Sequence, residues 1–182
     1  MARFEVVSKY ADAGIEIPVR ATAKSAGYDL SAAEDFIIPP YEDQMECMIE
    51  GWLTKPPIKG FVFDLKSMAD YTKDRCARPS LIPTGLKCKL ADNEYLKLVS
   101  RSSFPLKHWI ICANSEGIID ADYYNNPDNE GHIYFQVINL TPVPIKIYKG
   151  EKICQAIIQE YKVTEDDNAS GVRAGGFGST GV

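Results

Sequence analysis

Apolar and polar residues alternate over short stretches along most of this chain, and turn-forming residues cut the stretches at close intervals. Phe4-Glu5-Val6-Val7 predicts a first strand. Asp12 to Lys24, with Gly14, Pro18 and Thr22, has no steady period and predicts loop with short extended pieces. Ala26-Gly27-Tyr28-Asp29-Leu30 leads into the apolar run Phe36-Ile37-Ile38, which Pro39-Pro40 stops. Further extended runs are Leu86 to Leu90, Tyr95 to Val99, Trp109 to Ala113, Gly131 to Leu140, Ile145 to Tyr148 and Ile153 to Tyr161. Between them lie turn signals: Pro83-Thr84-Gly85, Ala91-Asp92-Asn93, Asn125-Asn126-Pro127-Asp128-Asn129 and Lys149-Gly150-Glu151. Many short strands at this spacing predict an all-β sandwich, jelly roll or barrel.

Two regions break the pattern. From Tyr41 to about Ser80, Met45, Met48, Ile49, Trp52 and Leu53 recur at helical spacing, bounded by Gly51 and Pro56-Pro57. Asp64 is placed to cap a second short helix from Leu65 to about Lys73. This predicts a partly helical insertion at about 41–80, whose Met and aromatic stripe reads as packing. From Thr164 the chain is acidic and small, then glycine-rich, with little to bury. The expected organisation is a β domain over 1–163 and a flexible arm over 164–182.

Composition narrows the functional classes. The 182 residues suit one domain with a real core and an insertion. A net charge of -5 argues against stable nucleic-acid binding but leaves open a local basic site for a small anion. No apolar run is long enough to span a bilayer, and Met1-Ala2-Arg3-Phe4-Glu5 is no signal segment, so a cytoplasmic protein without membrane attachment is expected. The five cysteines are scattered with no C-x-x-C pair, and read as reduced thiols packed as small apolar side chains. His108 and His132 have no metal-ligand spacing and read as structural or surface residues.

Four stretches carry candidate chemistry. In Gly117-Ile118-Ile119-Asp120-Ala121-Asp122-Tyr123, a strand would place Asp120 and Asp122 on one face. Paired carboxylates repel, so they are exposed, partnered by cations or part of a site; a strand-end turn is the plainer alternative. Arg101-Ser102-Ser103 offers a guanidinium and hydroxyls suited to phosphate, or a strand end before a turn. Gln155 follows a hairpin turn in apolar company and either donates to an anion or satisfies a neighbouring backbone group. The tail gathers Arg173, Phe177, Ser179 and Thr180 among glycines: a bidentate grip, a ring that can stack, and hydroxyls.

Together these stretches resemble the five ordered motifs of the trimeric dUTPase family. They run Ala26 to Leu30, Arg101 to Ser103, Gly117 to Tyr123, Gly150 to Gln155, and Gly175 to Gly181. Pro83-Thr84-Gly85-Leu86 also looks like that family's segment between its first two motifs. The resemblance implies a jelly-roll-like β fold or distorted β-barrel, to which the partly helical insertion would be added, and a homotrimer with three active sites at subunit junctions. It also implies hydrolysis of dUTP to dUMP and pyrophosphate with Mg²⁺. By that resemblance Asp120 activates the attacking water, and Asn114 with the backbone around Gly117 and Ile119 reads the uracil edge. Tyr123 packs on the deoxyribose. Arg101, Ser102, Ser103 and Gln155 hold phosphates, and Asp29 reaches the metal through water. Arg173 and Phe177 close over phosphate and base, followed by Ser179 and Thr180. Asp122 is expected to be structural and paired with a cation.

The chain departs from the family pattern in four places. The 41–80 insertion is long, a longer loop from Tyr124 to Gly131 follows Tyr123, Ser103 stands where glycine is usual, and the spacing between Arg173 and Gly175-Gly176 is short. An enlarged member of this sort suits a bacterium or its phage. A rival enzyme, dCTP deaminase, shares the fold, but Gln136 stands where its water-activating glutamate is expected, and an amide is no general base. A different class is a nucleotide-sensing regulatory protein that holds a protein partner through residues 41–80.

Overall fold

In the computed structural model, which describes residues 1–41 and 79–171 together with Arg173, Gly175 and Gly176, eleven strands and one short helix form the molecule. The strands are β1 (Arg3–Val6), β2 (Tyr28–Ser31), β3 (Phe36–Ile38), β4 (Ser80–Pro83), β5 (Leu86–Lys89) and β6 (Glu94–Ser100). Then follow the helix α1 (Ser103–His108) and strands β7 (Ile110–Cys112), β8 (Gly117–Asp120), β9 (Tyr134–Asn139), β10 (Ile145–Ile147) and β11 (Lys152–Glu160). The expected helices within 41–80, with Cys47 and Cys76, lie outside the described residues, as do Phe177, Ser179 and Thr180 of the tail.

Period-two burial in the longer strands sets the architecture. In β6 Leu96 and Leu98 point inward, and in β9 Phe135, Val137 and Asn139 do so, with polar or part-exposed neighbours between. The sheets run β2-β11-β6-β8 and β4-β9-β7, flanked by the pairs β1-β5 and β10-β3. Every described strand pair is antiparallel. Between the sheets Leu30, Ile38, Ile82, Leu98, Ile110, Phe135 and Ile153 form one core. Each such side chain removed from water contributes about 1.5–3 kcal/mol. The fold is all-β, as expected, although the described strands do not close into a barrel.

Buried polar groups are tied into this frame. Asn139, fully buried, donates to the Val143 carbonyl at 2.8 Å and accepts from the Thr141 N–H at 2.9 Å, closing the turn after β9. The His132 Nε2 accepts the Gly85 N–H at 2.9 Å, and the ring lies against Tyr10 and Tyr134. Cys88 and Cys154 are buried free thiols whose burial pushes their pKa well up, so they pack as neutral side chains. That fits the reading of these cysteines and of His132 as structural.

Three local expectations are corrected. The residues after Arg101-Ser102 form a helix rather than a turn. Pro105 is tolerated because it falls in the first turn, where its missing N–H would have had no helical partner. Trp109 ends the helix in the left-handed region, φ 53°, with its N–H on the Phe104 carbonyl. Second, β8 stops at Asp120, and Asp122 belongs to a 3-10 turn over Ala121–Tyr123, so the two carboxylates do not share a strand face. Third, Ser80–Pro83 is a strand where the sequence showed only the turn that follows.

Candidate functional site

The sequence-predicted residues assemble into two clusters. The first is built at one end of the β2-β11-β6 sheet. Asp29 on β2 lies opposite Gln155 on β11, and Arg101 leaves the end of β6 beside them. Gln155 donates from Nε2 to Asp29 Oδ1 at 3.2 Å, Arg101 Nε stands 3.3 Å from the same oxygen, and Lys152 Nζ donates to Oδ2 at 3.0 Å. The Asp29 side chain is only 10% exposed. Burial alone would raise its pKa, but the bonds from Lys152 and Gln155 and the charges of Arg101 and Lys152 prevail and hold the carboxyl below its usual range. The cluster keeps one positive charge in excess, with donors splayed around a single carboxylate. Ser102 precedes α1 without capping it, and Ser103 opens the helix. Gly27 packs tightly on Gln155: a Cβ there would lie 3.3 Å from the Gln155 Cβ.

Lys152 is a member that sequence reasoning missed. In a regular strand, residues three apart point to opposite faces, so Lys152 and Gln155 should diverge. The register of β11 against β2 slips by one residue between Lys152 and Cys154, and this bulge brings both side chains onto Asp29.

The second cluster surrounds a pocket of about 410 Å³ between β8, β7 and β9. Asn114, Gly117, Ile119, Asp120 and Tyr123 line it, as does Gln136 of β9. Gly117 lets β8 lie close on β6, since a Cβ there would stand 3.1 Å from that of Leu98. The Cys112 thiol donates to Asn114 Oδ1 at 3.1 Å. Tyr123 is buried, and its hydroxyl accepts from Asn129 Nδ2 at 2.8 Å. Neither Cys112 nor Asn129 was singled out from the sequence. A thiol two residues from an amide and an Asn in a long loop carry no signal until the backbone path is known.

The tail returns to this second cluster. Arg173 bonds Asp120 Oδ2 through its NH2 group and Asp122 Oδ1 through Nε at 2.7 Å, so the paired carboxylates have their cation. Gly176 lies on the Tyr123 ring: a Cβ there would come within 2.8 Å of the ring's Cε2. Asp122 is therefore partnered as expected, by Arg173, which stands on both carboxylates.

Strand register separates the two clusters. Asp120 faces Tyr95 at one end of β6, and Arg101 follows Ser100 at the other. Six residues at about 3.3 Å each put them about 20 Å apart along the strand, far beyond the span of three linked phosphates. One chain thus holds the cation-rich cluster around Asp29 and a pocket bearing a carboxylate, each without the other.

Among the described residues no group of His, Cys, Asp and Glu could by itself hold a metal ion, and no helix is long and apolar enough to cross a membrane.

The dUTPase family model matches residues 13–63 and 52–181. The deoxyuridine 5'-triphosphate nucleotidohydrolase of Lactococcus lactis subsp. lactis (strain IL1403) is 41% identical over 181 residues, covering 98% of this chain and 97% of the relative. The enzyme of the same name from Rickettsia conorii is 39% identical over 113 residues, covering 59% of this chain and 72% of the relative. Among solved structures, the dUTPase from Streptococcus mutans superposes with a TM-score of 0.65 at 31% identity, covering 90% of this chain and 98% of that one. A mutant dUTPase from phage phi11 of S. aureus, described with a structural Mg(II) ion, shares the fold with a TM-score of 0.58 at 15% identity, covering 94% of this chain and 97% of that one. On family match, full-length identity and fold, this chain belongs to the dUTPase family.

Proposed function

We propose that the protein hydrolyses dUTP to dUMP and pyrophosphate in the cytoplasm, in sites completed between copies of the chain. The observation that carries this reading is the Asp29 cluster, where Arg101, Lys152 and Gln155 converge on one carboxylate with a net positive charge. Such a seat suits a polyphosphate, and the separate pocket around Asn114 and Tyr123 suits a nucleoside. The register gap of about 20 Å supports assembly of a working site from different chains of a homotrimer.

In the proposed reaction Asp120 takes a proton from a water that attacks the α-phosphorus. The bond from that phosphorus to the bridging oxygen breaks, and pyrophosphate leaves. Arg101, Lys152 and Gln155, with Ser102 and Ser103, carry the charge on the phosphates. Asn114 and the backbone at Gly117 and Ile119 hold the base. Tyr123 lies against the sugar and leaves no room for a 2'-hydroxyl. Arg173 must leave Asp120 before the carboxylate can accept a proton. We propose that residues 164–182 act as an arm that makes this exchange, moving Arg173 toward phosphate and bringing Phe177, Ser179 and Thr180 over the nucleotide.

The donor set fits Mg²⁺ in one respect. Gln155 and Lys152 each donate to one oxygen of Asp29 and Arg101 pairs with it at 3.3 Å, so the carboxylate keeps acceptor capacity for a water on the ion. Mg²⁺ characteristically takes one or two carboxylates, several waters and the substrate's phosphates, and would supply Lewis-acid charge stabilisation there.

Deamination of dCTP is the less favoured reading, because Gln136 lines the base pocket and an amide cannot accept the proton from water. A nucleotide panel tests the choice. Pyrophosphate from dUTP, with little from UTP or dCTP, supports the proposal. Ammonia from dCTP, or no pyrophosphate from dUTP, removes it.

A further inference from the structure

The loop after Tyr123 is built at a cost that its own packing does not explain. Within seven residues Asn125, Glu130 and Gly131 all have positive φ, at 58°, 61° and 75°, and two of these are not glycine. Asn126 is buried, and its Nδ2 has no partner among the described residues. Gly131 passes so close to Tyr123 that a Cβ would stand 2.3 Å from the Tyr123 carbonyl oxygen. Strain, an orphaned donor and a glycine-only approach collect where some other geometry is being enforced.

That geometry is the position of Asn129. Its Oδ1 accepts the Gly131 N–H at 3.0 Å, which fixes the amide so that Nδ2 donates to the Tyr123 hydroxyl at 2.8 Å. The loop is anchored from outside. Glu130 accepts from the Ser8 N–H and hydroxyl, Lys87 donates to Asn125 Oδ1 at 2.7 Å, and Tyr124 donates to Glu5 at 2.6 Å. Asn129 is thus held on a braced frame, and Tyr123 is held by Asn129.

We propose that Asn129 is a positioning residue for sugar discrimination. It fixes the Tyr123 ring from behind, so that the ring meets the nucleotide at one setting and a 2'-hydroxyl meets a wall that does not yield. The proposal rests on the reading of Tyr123 as the sugar contact. The rival role is plain loop stability, which would act on deoxyribonucleotide and ribonucleotide alike.

The test measures kcat/KM for dUTP and for UTP with Asn129→Ala, Asn129→Asp, Tyr123→Phe, Tyr123→Ala and the double variant Asn129→Ala/Tyr123→Phe. One neutral hydrogen bond corresponds to about 3- to 10-fold, so Asn129→Ala should lower the dUTP:UTP ratio by that factor. Asn129→Asp should restore the ratio to within about twofold, because a carboxylate accepts both the Gly131 N–H and the Tyr123 hydroxyl proton. Tyr123→Phe should lower the ratio as Asn129→Ala does, and the double variant should add nothing further. An unchanged ratio in Asn129→Ala and Tyr123→Phe, with a lowered ratio in Tyr123→Ala, overturns the role of Asn129 and leaves the sugar contact standing. An unchanged ratio in Tyr123→Ala removes the sugar contact itself.

Discussion

His132 should make the fold sensitive to mild acid, and the size of the effect can be worked out. The side chain is 3% exposed. Burial pushes its pKa down to about 4, with the charge of Lys9 adding to the shift. Its Nε2 accepts the Gly85 N–H, so a proton there would set donor against donor. In the unfolded chain the same imidazole titrates near 6.5. Between those values the unfolded state binds a proton that the folded state refuses, so stability rises with pH across the window and falls as pH drops through it. The loss is about 1 kcal/mol by pH 5.5, about 2 kcal/mol by pH 5.0, and about 3 kcal/mol when complete. Asp29, Asp35, Glu5 and Glu130, all held below their usual range, act in the same direction but near the carboxylate range. The assay is urea unfolding from pH 7.5 to 5.0 at one protein concentration, beside His132→Gln, whose amide can accept from Gly85 without titrating. The wild type should lose stability down to pH 5.5 while the variant stays nearly level. Parallel curves over that range would refute the reasoning.

Three further outcomes are expected. Asp120→Asn should lower turnover of dUTP by about 10²–10⁴-fold while nucleotide affinity, measured by calorimetry, changes only a few-fold. Gly131→Ala should destabilise the chain by roughly 1–3 kcal/mol in urea unfolding, because its φ of 75° is strained for alanine and its Cβ would displace the Tyr123 backbone. Truncation before Arg173 should strongly reduce kcat/KM for dUTP and leave the thermal midpoint within a few degrees, since none of the described residues it removes, Arg173, Gly175 and Gly176, belongs to the hydrophobic core.

Much of the fold was legible because alternation is a direct trace of a half-buried sheet. Leu96 and Leu98, or Phe135 and Val137, declare their face every second residue. What was missed has physical reasons. Ser80–Pro83 is too short to show a period, and α1 is a six-residue helix carrying a proline in its first turn. The residue types of the site were legible in part, since Arg101 calls for an anion and the Asp120–Asp122 pair for a cation nearby, whereas the neutral Gln155 gave no such signal by itself. Their division into two clusters was not, because it depends on strand register. Lys152 was hidden by a bulge that reverses the face a period-two reading assigns to it. The carboxylate pair foretold a cation, but not that Arg173, fifty-one residues beyond Asp122, would supply it.

Complementation between two inactive chains tests the account most directly. Asp120→Asn keeps the phosphate seat and loses the base, and Arg101→Ala keeps the base and weakens the seat. The two proteins are unfolded together in equal amounts, refolded and assayed for pyrophosphate release from dUTP. If each site takes Asp120 and Arg101 from different chains of a symmetric assembly, random mixing leaves about a quarter of the sites with both residues intact. Roughly that share of wild-type activity should return, while each variant refolded alone stays inactive. A mixture as inactive as its parents would place Asp120 and Arg101 in the same chain's site and contradict the account.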